Sequence, residues 1–301
     1  MVTERERKGK FIEYFTKTPS GICCPHFWYL KWANGCPYKC EYCYLQYTFR
    51  YLPEPVIFTN LDTAMLKEVK AWLIQQTEPR ILVTGELADS LVYDKKVGLT
   101  KLLIPVFQDS GLNPWGHRLY FLTKSTCIDN ILSFRPSRSV ITAFSVNSIP
   151  AWEAYEHGTP SPKERLAAAD TLSRAGWPVR IRLDPMVPIP DWEESYVEIA
   201  EEICSIKTLE NVTLGSLRYF PGLKRFARPG HGSDIFSFGK DHNDPDRRRR
   251  VPAETRLRMY RRVVEALKER RPDIPIGLCK EAESIFPGLP LPLPQKDCAC
   301  I

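Results

Sequence analysis

Short runs of β-branched and aromatic residues alternate with amphipathic stretches along almost the whole chain. Runs of the first kind are typical of buried strands, and stretches of the second kind place apolar side chains on one face of a helix. Seven runs are predicted as strands: 27–33, 80–85, 118–123, 140–146, 179–184, 212–217 and 274–278. Six stretches are predicted as helices: 62–76, 97–110, 127–134, 162–175, 192–206 and 253–270. Six βα steps predict an α/β fold, a partial (β/α)6 barrel of the TIM type.

The helix at 162–175 has the clearest predicted boundaries. Ser161 precedes it, Pro162 occupies its first turn and Gly176 follows it, as helix start and stop chemistry requires.

Length and composition favour one large domain. With 301 residues and 43% hydrophobic content, the chain can bury a sizeable core. We expect a single domain over 1–301, with an N-terminal extension at 1–26, an irregular basic insertion at 221–250 and a C-terminal extension at 275–301. Residues 221–245 are rich in Gly, Pro and Asp, which fits either a lid over a site or a surface insertion.

Positive charge is concentrated in one part of the chain. The formal net charge is +6, and residues 240–271 contain 12 Lys and Arg against 6 Asp and Glu. This segment is either a positively charged surface that binds phosphate-bearing partners or a solvated arginine-rich helix. Tyr260 is its only aromatic residue, so the sequence shows no stacking platform within it.

The sequence also indicates where in the cell the protein is located. No apolar stretch approaches the roughly 20 residues of a membrane span, and the N-terminus is charged where a signal peptide would be apolar. We expect a cytoplasmic protein with no membrane partner. Its ten cysteines then favour metal binding over a disulfide scaffold.

Three cysteines lie close together after the first predicted strand. Cys36, Cys40 and Cys43 have the spacing C-x3-C-x2-C, with Tyr42 just before the last thiol. Three thiolates can ligate three irons of a 4Fe-4S cluster and leave the fourth iron open to a small molecule. A structural zinc site is the alternative, although zinc prefers four closed ligands. The spacing therefore favours a cluster.

This loop resembles that of the spore photoproduct lyase family within the radical S-adenosylmethionine (SAM) superfamily. The likeness covers about residues 28–200 and continues in Leu119-Tyr120-Phe121-Leu122-Thr123-Lys124, Ala143-Phe144-Ser145-Val146-Asn147, Glu156-His157-Gly158-Thr159-Pro160-Ser161 with Arg165, Ala175-Gly176-Trp177-Pro178 and Trp192-Glu193-Glu194-Ser195-Tyr196. The resemblance implies an enzyme with a radical SAM barrel, an oxygen-sensitive 4Fe-4S cluster, SAM, and an electron donor such as flavodoxin or ferredoxin.

The resemblance also implies roles for single residues. Lys124 would meet the SAM carboxylate as a point charge, and Gly85 would let a ligand approach the backbone closely. Lys124 could instead be an exposed strand-end lysine, and Ser145 and Asn147 could cap a turn. The residues expected to bind SAM are Tyr42, Gly85, Glu86, Lys124, Ser145, Asn147 and Asp184, the last facing cofactor or substrate.

Leu87 departs from the family. Spore photoproduct lyases keep a hydrogen-donating cysteine after the second strand, and the corresponding position here is Leu87. Repair of spore photoproduct is therefore not expected, unless Cys127 or Cys204 comes within reach. The predicted catalytic residues are Glu86, Asp89, Ser90 and Tyr44, whose carboxylates and hydroxyls suit a polar substrate.

A second cysteine set is distant from the first in sequence. Cys279 ends the last predicted strand, and Cys298 and Cys300 form a C-x-C pair. If this tail folds across the barrel, they could join Cys24, or its neighbour Cys23, in holding a second 4Fe-4S cluster or a zinc ion. Free cysteines are the alternative, and the resemblance does not supply this set.

Together these patterns predict a radical SAM enzyme. Such an enzyme would cleave SAM reductively to a 5′-deoxyadenosyl radical, which would abstract hydrogen from a nucleoside, nucleotide or nucleic acid. Lyase, isomerase and sulfur-transferase outcomes stay open. A sulfur-inserting enzyme with an auxiliary cluster is one alternative, and a nucleic-acid binding protein with a structural metal is another.

Overall fold

The computed structural model describes residues 2–227, 233–241, 245–291 and 300. Its strands are β1 (Thr3–Arg5), β2 (Ile12–Phe15), β3 (Ile22–Cys23), β4 (Phe27–Leu30), β5 (Ala33–Asn34), β6 (Lys39–Cys40), β7 (Val56–Phe58), β8 (Ile81–Val83), β9 (Arg118–Thr123), β10 (Val140–Val146), β11 (Glu156–His157), β12 (Val179–Met186), β13 (Leu209–Ser216), β14 (Arg218–Tyr219), β15 (Arg249–Arg250), β16 (Ile276–Leu278) and β17 (Glu281–Ala282).

The helices follow the longer strands. They are α1 (Leu45–Thr48), α2 (Leu66–Gln75), α3 (Asp94–Val97), α4 (Leu99–Gln108), α5 (Asp129–Leu132), α6 (Ile149–Tyr155), α7 (Pro162–Arg174), α8 (Trp192–Cys204) and α9 (Ala253–Arg270). A π-helical turn at Leu61–Met65 leads into α2, and 3-10 turns lie at Pro221–Arg225, Asp234–Phe238 and Glu283–Gly288. No helix among the described residues is long and apolar enough to cross a lipid bilayer.

One sheet of eight strands organises these elements. Its order is β16-β13-β12-β10-β9-β8-β4-β2, and every neighbouring pair is parallel except β2 with β4. Six parallel strands lead into helical segments, and β16 follows as the seventh. The predicted α/β fold of the radical SAM barrel type is confirmed, and all seven predicted strands are present.

Burial explains why the longest strands could be recognised. Every residue of β10 is buried, as expected of a parallel strand covered on both faces. The helix α7 begins as predicted: Ser161 precedes it and forms a capping box with Glu164, and Pro162 lies in the first turn.

Some elements differ from the prediction. The helix α6 was not predicted, and the segment 27–33 divides into β4 and β5 around Lys31 and Trp32. The indole N–H of Trp32 donates to the main-chain oxygen of Thr84 at 3.0 Å, and β5 pairs with β7 instead of extending the large sheet. A long-range contact therefore interrupts a locally continuous apolar run.

Candidate active site

The cysteine loop lies at the carboxyl-terminal edge of the parallel sheet. Gly35 begins it with φ of 85°, a conformation that favours glycine, and donates its N–H to the main-chain oxygen of Leu87 at 2.8 Å. Cys40 lies in β6, which pairs with β11 so that Cys40 is opposite Glu156. The Cys43 N–H donates to the Cys40 oxygen at 3.0 Å. The loop is thus attached both to the segment after β8 and to β11.

The three thiols of this loop fit an iron–sulfur cluster. Burial raises the pKa of Cys36, and nearby Asp89, Cys43 and Cys40 raise it further, so the three sulfurs are neighbours in a sheltered place. No three His, Cys, Asp or Glu side chains within the described ranges could hold one metal ion. In a 4Fe-4S cluster each thiolate binds a different iron, so this donor set does not require a shared ion.

Glu156 connects the cysteine loop to the predicted SAM residues. Its side chain is fully buried, with Arg165 Nη2 at 2.7 Å and Lys124 Nζ at 4.0 Å. Tyr42 donates its hydroxyl to Glu156 Oε1 at 2.5 Å, and the amide of Asn147 donates to the same oxygen at 3.2 Å. Burial alone would raise the pKa of Glu156, but Lys124 and Arg165 outweigh it and the pKa lies below its usual value. Glu156 is therefore an anionic centre for this side of the site.

Lys124, Ser145 and Tyr42, which are all predicted to bind SAM, lie close together. Lys124 Nζ donates to the Ser145 hydroxyl at 2.6 Å and lies 5.7 Å from the centre of the Tyr42 ring. Arg165 donates to the main-chain oxygen of Ser145 at 2.9 Å. The structure thus places a cation, a hydroxyl and a ring beside the cysteine loop, while their contact with SAM stays a prediction.

Asp89 and Ser90 have structural contacts. Asp89 accepts from the main-chain N–H groups of Leu91 and Val92, both at 3.0 Å, and from that of Lys124 at 2.6 Å. Ser90 is fully buried and accepts from the Leu122 N–H at 2.9 Å. These contacts fix the loop after β8 to β9. The catalytic roles of both residues stay predictions.

Gly85 is explained by packing between strands. A Cβ at this position would lie 2.7 Å from both Cβ and the main-chain oxygen of Leu122, closer than real Cβ contacts. Glycine is therefore needed for the close approach of the chain after β8 to β9, independently of the ligand approach that we predicted.

Glu86 and Tyr44 lie near the opening of the barrel. The Tyr44 hydroxyl donates to the main-chain oxygen of Glu86, and Lys280 Nζ is 3.9 Å from Glu86 Oε1. Burial raises the pKa of Tyr44, while the charge of Arg248 acts against that rise, which makes Arg248 a neighbour as well. This region joins the end of β8 to the end of β16.

Asp184 lies in a buried charge cluster. It pairs with Arg182 at 2.9 Å and with Arg218 at 2.8 Å, and its main-chain oxygen accepts from the Ser145 hydroxyl at 3.3 Å. Burial would raise the pKa of Asp184, but the two guanidinium groups hold it well below its usual range. Gly215 makes room for this pair, because a Cβ there would lie 2.5 Å from Asp184 Oδ1. The expected cofactor contact of Asp184 stays a prediction.

The same charge cluster reaches the second cysteine set. Arg182 and Arg218 lie 2.8 Å and 3.0 Å from Cys279 Sγ, and Arg182 lies 3.6 Å from Cys300 Sγ. Burial raises the pKa of Cys24 to about 12, and the nearby Cys279 and Cys300 add to that rise, so the three thiols are neighbours. Cys298 lies outside the described residues.

The basic segment contacts aromatic residues from elsewhere in the chain. The Arg248 guanidinium lies 4.7 Å from the Phe220 ring centre, and Tyr47 lies 6.3 Å from Phe220 and 5.9 Å from Phe226. Arg50 lies 5.0 Å from the Tyr47 ring. These five residues form an arginine–aromatic surface, which the sequence could not show because its rings lie outside 240–271.

Tyr260, Arg250 and Arg256, all in the basic segment, are buried and make contacts inside the protein. Tyr260 is fully buried and donates to Glu281 at 2.7 Å. Arg250 pairs with Asp246 at 2.5 Å and Arg256 with Glu281 at 2.8 Å. The segment is therefore neither a uniformly solvated helix nor a uniformly free cationic face.

A partial α/β barrel with a three-thiol loop at the carboxyl-terminal end of its strands defines a protein of the radical SAM class. A family model described as "Spore photoproduct lyase" matches residues 23–231. The chain belongs to this family.

Curated relatives support the assignment. The spore photoproduct lyase of Geobacillus sp. (strain Y412MC61) is 31% identical over 199 residues, covering 65% of this chain and 56% of that protein. The lyase of Bacillus subtilis (strain 168) is 26% identical over 174 residues, covering 58% and 50%. The match thus spans about half the length of these relatives.

Solved structures show the same fold. Spore photoproduct lyase complexed with dinucleoside spore photoproduct matches with a TM-score of 0.75 and 20% identity, covering 92% of this chain and 81% of that chain. SuiB of Streptococcus suis bound to S-adenosylmethionine matches with a TM-score of 0.51 and 12% identity, covering 86% and 51%.

Proposed function

We propose that this chain is a radical SAM enzyme that acts on a nucleoside, nucleotide or nucleic acid. The observation that carries the proposal is the connection of the three-thiol loop, through Tyr42 and Glu156, to the Lys124–Ser145 pair. Cys36, Cys40 and Cys43 would hold a 4Fe-4S cluster, and a donor such as flavodoxin or ferredoxin would reduce it. When bound, the cluster and SAM supply a 5′-deoxyadenosyl radical that abstracts hydrogen from substrate carbon.

The protein's own residues bind and orient in this proposal. Lys124 and Ser145 offer an ammonium and a hydroxyl to the SAM carboxylate, an arrangement suited to charge-assisted hydrogen bonds. Glu156 positions Lys124 and Tyr42 from the buried side, and Arg165 neutralises Glu156. Glu86 and Tyr44 line the opening through which a substrate would approach.

The arginine–aromatic surface supports a nucleotide or nucleic-acid substrate. It combines positive charge with rings on which bases can stack, and Arg248 connects it to Tyr44 at the opening. The spore photoproduct lyase whose fold this chain shares was solved in complex with dinucleoside spore photoproduct, which points to the same substrate chemistry.

In this proposal the reaction does not end with a thiol at position 87 returning a hydrogen atom to the substrate radical, because Leu87 has no thiol. Cys204 ends α8, and its thiol lies against the Leu267 oxygen of α9, in the helical layer. A helix between parallel strands ends near the amino-terminal edge of the sheet, opposite the cysteine loop. Cys204 is therefore a poor substitute for the missing thiol. Cys127 follows β9 on the side of the site and is the cysteine to test for that role.

SAM binding tests the proposal. Lys124→Met should weaken equilibrium binding of SAM to anaerobically reconstituted protein by about 10- to 150-fold, as loss of a hydrogen bond to a charged group implies. Lys163→Met, an exposed lysine on α7, is the matched control and should bind as the wild type does. Equal affinity of the Lys124 variant and the wild type would contradict the assignment.

Sulfur insertion is a second candidate function. The observation that favours it is the proximity of Cys24, Cys279 and Cys300, because a sulfur-inserting enzyme would need an auxiliary cluster. Transfer of sulfur to product during a single turnover, with loss of sulfide from the protein, would select this function over a lyase or isomerase reaction.

A further inference from the structure

Three cysteines from distant parts of the chain lie around the end of β16. The antiparallel pairing of β3 with β17 places Cys23 opposite Glu281, which brings the adjacent Cys24 to the Cys279–Lys280 corner. Cys24 and Cys300 pack against the same apolar cluster, formed by Phe27, Val83, Tyr120, Ile141 and Ala143. The fold therefore gathers these thiols inside the barrel.

The electrostatic surroundings favour an anionic group at these thiols. Arg182 and Arg218 carry two positive charges, while the carboxylate that both contact, Asp184, carries one negative charge. Within this trio one positive charge is left over, and both guanidinium groups donate to Cys279 Sγ, at 2.8 Å and 3.0 Å. Buried charge is costly unless it is compensated, so sulfur in anionic form suits this position.

From this geometry we infer that Cys24, Cys279 and Cys300 ligate a second iron–sulfur cluster, of the 4Fe-4S type, inside the barrel. Thiolates are the ligands that such clusters require, and hydrogen bonds to sulfur are a known means of tuning them. The inference goes beyond the proposed function and does not depend on SAM binding by the first cluster.

The second cluster would lie close to residues of the candidate active site. Lys280 directly follows Cys279, and its ammonium lies 3.9 Å from Glu86 Oε1. Asp184, which pairs with both arginines, accepts through its main-chain oxygen from Ser145, the partner of Lys124. These contacts thus connect the second cysteine set to Glu86 and Lys124, two residues of the candidate active site.

Iron and sulfide analysis of the full chain after anaerobic reconstitution tests the inference. The wild type should contain about eight irons, and the Cys36→Ala/Cys40→Ala/Cys43→Ala variant about four, since each cube holds four. That triple variant should show the electron paramagnetic resonance of a reduced four-iron cluster. This signal would support the second cluster even if the first cluster were found not to bind SAM.

Single substitutions locate the second site. Cys279→Ala should retain about four irons, while Cys204→Ala, at a cysteine outside both sets, should retain about eight. If circular dichroism shows that Cys279→Ala folds poorly, the iron content of Cys300→Ser tests the same site, and it should also be about four. About four irons in the wild type, none in the triple variant, or one zinc in place of the second cube would each overturn the inference.

Discussion

Replacing Glu156 with glutamine should damage both the stability of the barrel and its SAM site. The substitution keeps the shape of the side chain but removes the charge that faces Arg165 at 2.7 Å and Lys124 at 4.0 Å. Glu156 and Arg165 have no exposed side-chain surface, so water cannot solvate the arginine that remains.

The magnitude follows from the burial of the pair. Removing one partner of a buried ion pair costs about 3–5 kcal/mol, because the other charge stays buried without compensation. At about 1.4 kcal/mol for each factor of ten, the ratio of folded to unfolded protein should fall by about 10²- to 10⁴-fold. Lys124 lies nearer the opening and should contribute less to this loss than Arg165.

Urea unfolding of anaerobically reconstituted protein measures this loss. Glu153→Gln, an exposed glutamate on α6, is the matched control and should unfold at the wild-type midpoint. Adding Arg165→Met to Glu156→Gln should recover part of the stability, because the unpaired charge is then gone.

Two results would refute this reasoning. A Glu156→Gln midpoint equal to that of Glu153→Gln would show that the carboxylate does not compensate Arg165. Additive losses in the double variant would show that the two residues do not act as a pair.

Three further predictions concern other parts of the molecule. Gly215→Ala should destabilise the fold by about 1–3 kcal/mol, since its Cβ would lie 2.5 Å from Asp184; an unchanged urea midpoint would contradict this. Burial lowers the pKa of His117, which accepts at Nδ1 from the Arg80 N–H, so the unfolded chain binds a proton that the folded chain excludes. Stability should therefore fall as pH drops below about 6.5, and His117→Gln should lessen that slope, whereas equal slopes would exclude the effect. Arg248→Ala should weaken binding of a single-stranded oligonucleotide and reduce its salt dependence, and an unchanged salt slope would remove Arg248 from the interface.

Local pattern was sufficient to predict the central strands, because they are long and buried along both faces. All seven residues of β10 are buried, and all but Thr142 and Ser145 are apolar. Strands of two residues, such as β6 and β11, exist through pairing between distant segments, and no local periodicity marks them. The helix α6 is also short, with seven residues.

Spacing predicted the cysteine loop because all three thiols come from one short segment. Glu156 was missed as a site residue because its role depends on Arg165, Lys124 and Tyr42, which belong to other elements. The available signal was the stretch of family resemblance that contains Glu156 and Arg165. Asp89 illustrates the opposite difficulty, because a carboxylate after a strand can cap backbone N–H groups as readily as it can face a ligand.

Formation of 5′-deoxyadenosine tests the central claim most directly. Anaerobically reconstituted wild-type protein, with dithionite and SAM, should produce 5′-deoxyadenosine, and so should Cys204→Ala. Cys43→Ala should produce none, because its loop can no longer hold the cluster that opens one iron to SAM. No product from the wild type, or equal product from Cys43→Ala, would contradict the account and leave a nucleic-acid binding protein with a structural metal as the better description.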